Sequence, residues 1–152
     1  MPRSICLYPE IGEKFELAIP EPLTGVELNN RFGYGASPVD GWAFIKAGIL
    51  QPQTKSFMIV SVGRQRNLEA LQRSLSLEGK IPDGRWLAPF VRSFPRYDGR
   101  GLIGIADAWW WSRDGFNFPC ICHGVAHFRS SSFPFALDPS FPATCRWIIE
   151  AP

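Results

Sequence analysis

The chain has 152 residues, 45% of them apolar and 20% charged, with a net charge of +2. This balance excludes a disordered chain, and no stretch reaches the ~20 apolar residues of a membrane-spanning helix. Fourteen Gly and fourteen Pro argue against a helical bundle and for many turns. Glu10, Glu13 and Lys14 interrupt the apolar run that a signal peptide needs, so the expected setting is cytoplasmic, with one domain spanning 1–152.

Phe15, Leu17 and Ile19 alternate with Lys14, Glu16 and Ala18, the period of a half-buried strand. Pro20 and Pro22 close it, because proline cannot donate to a ladder. Val26 and Leu28 suit a further short strand, and residues 29–37 read as loop. Ser37, Pro38 and Asp40 form a helix start, with a capping hydroxyl, a proline that needs no donor and a first-turn carboxylate. Val39, Trp42 and Ala43 mark that helix's buried side.

Residues 56–62 are nearly all apolar, as expected of a central strand. The clearest helix follows over 65–78. Leu68, Leu71 and Leu75 line one side, Glu69 and Arg73 are spaced as an i,i+4 pair, and Gly79 is the stop. Trp86, Leu87, Phe90, Val91 and Phe94 have the spacing of a short helix, against which Pro89 argues. Residues 97–101 read as a turn. Two strands over 102–111 and 118–128 are expected to meet in a hairpin at Asp114-Gly115. Residues 130–142 read as loop and 144–149 as a closing strand. The pattern predicts an α+β fold, a mainly antiparallel sheet with two or three helices packed on one side.

Charge is uneven along the chain. Residues 31–100 carry eleven basic and five acidic side chains, while the flanking segments are slightly acidic. Twelve of the sixteen cations are Arg, suited to gripping phosphate or carboxylate with two parallel bonds. A solvated surface is the ordinary use of such a segment, and a basic face toward an anionic partner is the functional one.

Cys120, Cys122, His123 and His127 invite a metal reading, because thiolates and imidazoles are zinc ligands. On a single strand, however, Cys120 and Cys122 share one side, and His123 and His127 stand ~13 Å apart on the other. The thiols then form half a zinc site that Cys145 or Cys6 would have to complete. Buried small hydrophobes are the weightier reading.

Asp107 is the only charged residue between Leu102 and Trp111, which makes it the candidate catalytic carboxylate. A two-residue turn at Asp114-Gly115 would set Asp107 opposite Cys122, Trp109 opposite Cys120 and Ala106 opposite His123. An Arg from elsewhere is then the natural partner for Asp107. Trp109, Trp110 and Trp111 adjoin Arg113 at the hairpin, where indoles beside Arg make stacking platforms, core filling being their commoner use. Arg64 and Arg66 lie at the start of the 65–78 helix, where free amides suit an anion. No nucleotide-binding, nucleophile-elbow or metalloprotease motif is present.

These features predict a non-enzymatic binding protein. Arg64, Arg66, Trp109, Trp110, Trp111 and Arg113 would hold an anionic macromolecule, either an acidic protein surface or nucleic acid. A small enzyme built on Asp107 and a zinc-stabilised module built on Cys120 and Cys122 are the alternatives.

Overall fold

A computed structural model describes residues 7–23, 43–44, 49–107, 110–112, 115–122, 125–130 and 143–152. The expected strand at Val26 and Leu28, most of the expected helix from Ser37, and nearly all of the 130–142 loop lie outside these residues.

The alternation at Phe15, Leu17 and Ile19 becomes β1 (Lys14–Ile19), antiparallel to β3 (Gln53–Val60), with Phe15 opposite Phe57. β8 (Arg146–Glu150) pairs with the other edge of β3, Val60 lying opposite Trp147. β4 (Ile103–Gly104) runs parallel to β8 and antiparallel to β6 (Gly115–Cys122). β7 (Val125–Ser130) pairs with the far edge of β6. The short β5 (Trp110–Ser112) joins β6 to β2 (Ala43–Phe44). One parallel pair in an otherwise antiparallel sheet gives the expected α+β character.

Among the described residues two helices accompany the sheet, on opposite faces rather than on one side as expected. α1 (Leu68–Glu78) packs Leu71 and Leu75 into a cluster with Val60, Trp147, Ile149, Phe118 and Cys120. A 3-10 turn (Gly84–Trp86) and α2 (Leu87–Ser93) pack with Phe57, Ile59, Ile148, Ile103 and Ile121. Successive strand residues point to opposite faces, so Trp147-Ile148-Ile149 presents bulk to both and each face needs a cover. The continuous apolar run carried that signal in the sequence.

Both helices start where local chemistry permits. The Asn67 side chain accepts the Ala70 N–H at 2.8 Å, which moves the start of α1 to Leu68, and the Gly79 N–H returns to the Leu75 carbonyl. Pro89 lies in the first turn of α2, where an N–H has no helical acceptor, so it breaks nothing. Ala43–Phe44 is strand, not part of the expected helix.

The 102–111 strand is also divided. β4 and β5 lie in succession along one edge of β6, since β7 occupies the other. Trp110 lies seven positions after Ile103, but their partners Asn117 and Ile121 are only four positions apart, and residues 105–107 leave the ladder. Side chains account for this. The Asp107 carboxylate accepts the Gly84 N–H at 2.7 Å, and the Ala106 carbonyl accepts from Gln72 at 2.8 Å, drawing the chain toward neighbouring elements.

Ser112 pairs with Gly115, so the register differs by one residue from the one that an Asp114-Gly115 turn would set. The expected 118–128 strand is instead a hairpin, closing where Cys122 meets Val125.

Candidate functional site

The expected pairings around Asp107 do not form, because the register differs and the residue has left the ladder. Cys120 lies opposite Gly104 and His127, not Trp109. Asp107 is half-buried and caps the amide that opens the 3-10 turn. The next arginine along, Arg85, is buried and engaged by Asp83: its Nε donates to Oδ1 at 3.0 Å and its Nη2 to Oδ2 at 2.9 Å. Its Nη1 reaches the Leu23 carbonyl at 3.1 Å. Asp107 and Asp83 thus both fasten the entrance of α2.

Cys120 and Cys145 are buried in the α1-side cluster. Cys122 lies on β6, two positions from Cys120. The hairpin invalidates the single-strand distance expected between His123 and His127, because His127 is on β7, opposite Cys120, and His123 lies outside the described residues. Among the described residues no three His, Cys, Asp or Glu side chains group as metal ligands.

Of the arginines and indoles expected on one surface, Arg64 and Arg66 lie toward one end of the sheet and the β5 backbone that carries Trp110 and Trp111 toward the other. Val60, Trp147, Gly104 and Cys120 are level across neighbouring strands. From Cys120, β6 runs five residues back to Gly115, roughly 17 Å at ~3.3 Å per residue. β5, with Trp110 and Trp111, lies toward that end. Beyond Val60 the chain leaves in the other direction through Arg64 and Arg66, both exposed, to the start of α1. Trp109 and Arg113 lie outside the described residues.

A different set of residues shares the Arg64–Arg66 end. β4 begins there, level with Arg146, and residues 94–101 lead into it carrying exposed Arg96 and Arg100. This connection is pinned. Arg146, at the start of β8, donates from Nη1 and Nη2 to the two Asp98 oxygens at 2.6 and 2.9 Å, and from Nη2 to the Gly101 carbonyl at 3.2 Å. The Tyr97 hydroxyl donates to that carbonyl at 2.7 Å. Arg146 is buried and its Nε lacks a hydrogen-bond partner. Its guanidinium lies 5.7 Å from the Tyr8 ring centre.

Burial pushes the Asp98 carboxyl up, but hydrogen bonds from Arg146 and the Arg100 amide, with both positive charges, outweigh it and hold the group below its ordinary 3.8. Burial, then the Asp98 charge, pushes the Tyr8 phenol up to about 12. Tyr8 meets Phe90, Phe94 and Tyr97 edge-on, with Phe15 against Phe94 at 5.8 Å. Arg100 Nη1 lies 3.5 Å from Glu10 on the surface.

Sequence reading missed this arrangement because Asp98 and Arg146 are 48 residues apart and nothing local joins them. The one available signal was the Arg-bearing turn at 97–101.

A cleft of about 60 Å³ opens between the end of β1 and α2, lined by Pro20, Pro22, Leu23, Pro89, Glu21 and Arg92 among others. Small-molecule sites typically enclose about 300–1,000 Å³. This cleft holds little more than water, and Asp107 is not part of its lining. Among the described residues no helix is long and apolar enough to cross a membrane. Comparison with family models, with curated proteins and with solved structures finds no match to the chain.

Proposed function

We propose that the chain is a cytoplasmic, non-enzymatic binding protein that holds an anionic macromolecule, an acidic protein surface or a nucleic acid, through arginines at one end of its sheet. The observation that carries this reading is the placement of exposed Arg64, Arg66, Arg96 and Arg100. They arrive from two connections at the end where β3 finishes and β4 begins. Arg146 spends its charge on Asp98 and thereby fixes the second connection, so the exposed guanidinium groups are presented by ordered backbone. The β5 backbone that carries Trp110 and Trp111 lies toward the other end.

Heparin is a direct probe. The protein is expected to be retained at 50 mM salt and released before 300 mM, as electrostatic binding is strongly salt-dependent. Replacing Arg64, Arg66, Arg96 and Arg100 with Gln should abolish retention while leaving the fold intact. Passage without retention at 50 mM salt overturns the reading, as does unchanged retention of the quadruple variant.

A further inference from the structure

We propose that the chain forms a twofold dimer by pairing β1 with β1 of a second copy, extending the sheet across the axis. β1 is an edge strand: among the described residues its only strand partner is β3. The direction of its free groups follows from neighbouring bonds. The Ser56 carbonyl accepts from Ala151 on the β8 side of β3, while the Ile59 carbonyl accepts from Gly12 on the β1 side. Alternation therefore turns Phe57 and Lys55 of β3 toward β1, and their partners Phe15 and Leu17 back toward β3. The backbone N–H and C=O groups of Lys14, Glu16 and Ala18 are left facing outward. All three residues are exposed.

An edge of this kind is a template for another strand, and proteins commonly blunt it with Lys or Pro. Here the charges select one register. In antiparallel self-pairing about Phe15, Lys14 of each copy lies opposite Glu16 of the other, and both residues exchange their outward backbone bonds. Sliding the twofold to Glu16 would set two carboxylates face to face, which is destabilising. Pro20 lacks a donor and ends the pairing just beyond the strand. The axis consumes both edges, so the assembly closes as a dimer and does not propagate through β1.

The surroundings fit a covered surface. Phe15 is half-buried and continues the nest of Phe90 and Phe94 to the edge, where pairing brings it against its symmetry mate. Ile11, in the approach to β1, is 58% exposed.

Sedimentation or light scattering across a concentration series tests this with the full chain. The wild type should show twice the 17.1 kDa chain mass. Lys14→Glu and Glu16→Lys should each be monomeric at concentrations where the wild type is dimeric. The Lys14→Glu/Glu16→Lys double variant, which restores opposite charges across the axis, should recover the dimer. A wild type that stays monomeric at the highest concentration overturns the proposal. So does a single variant that remains dimeric, or a double variant that fails to recover.

Discussion

At the scale of single residues, Arg85 and Arg146, buried among the described residues, are each fastened to an aspartate. Arg146 and Arg85 each hold an aspartate with two parallel bonds, and each also reaches a backbone carbonyl. Removing one partner of such a pair leaves a buried charge uncompensated, a loss of about 3 kcal/mol. Asp98→Asn should therefore lower stability by about 3 kcal/mol in denaturant unfolding, the cost being heightened because Arg146 Nε is already without a partner. Because the folded-state carboxyl sits below its ordinary value, its contribution is complete above about pH 3.8 and drains away as the pH falls further. The Asn variant should lose that part of the acid dependence.

Tyr8 has the opposite sign. Its phenol is raised from 10.0 to about 12, so the folded state keeps a proton that the unfolded chain releases. Its contribution is intact below pH 10 and declines as the pH climbs from 10 toward 12, by roughly 2 kcal/mol. Tyr8→Phe should flatten the alkaline limb of the stability profile over that interval, measured by urea unfolding at stepped pH. An identical limb in the two proteins would mean that Tyr8 does not titrate as described.

At the scale of elements, the legible parts were those governed by local chemistry. The alternation of β1, the apolar run of β3, the leucine stripe of α1 with its Gly79 stop and the closing strand β8 all follow from periodicity and caps. Asn67→Ala should cost about 1 kcal/mol through the lost bond to the Ala70 amide, visible in thermal or chemical unfolding. The failures lie where distant groups decided the outcome. The break between β4 and β5 depends on Asp107 finding Gly84 and on Ala106 finding Gln72, contacts spanning 23 and 34 residues. The hairpin at 122–125 was concealed because β-prone residues continue on both sides of His123-Gly124, so one long strand and two short ones read alike. A single misplaced turn then shifted every pairing inferred from it.

At the scale of the whole molecule, strand direction sorts the basic connections from the tryptophan-bearing strand. Sequence position suggested that the basic segment and the tryptophans converge, whereas the register sends Arg64 and Arg66 to one end and places Trp110 and Trp111 toward the other. The composition showed that arginine is the dominant cation. It could not show which arginines are buried, because burial of Arg85 and Arg146 is settled by Asp83 and Asp98 after the chain has folded. The helix faces were recoverable only in part: Trp147-Ile148-Ile149 signals two covered faces, but which helix goes to which face depends on the connection after Gly79. There the Glu150 carbonyl lies so close that a Cβ would stand 2.6 Å from it.

The salt dependence of binding to a defined single-stranded oligonucleotide tests the central claim most directly, because its slope counts the charges engaged. Each phosphate neutralised on a single strand contributes about 0.7 to the slope of log Kobs against log salt. If the arginine-bearing end is the binding surface, the slope should shrink by about 0.7 for each of Arg64, Arg66, Arg96 and Arg100 replaced by Gln. A slope that stays constant as the four arginines are removed would contradict the account.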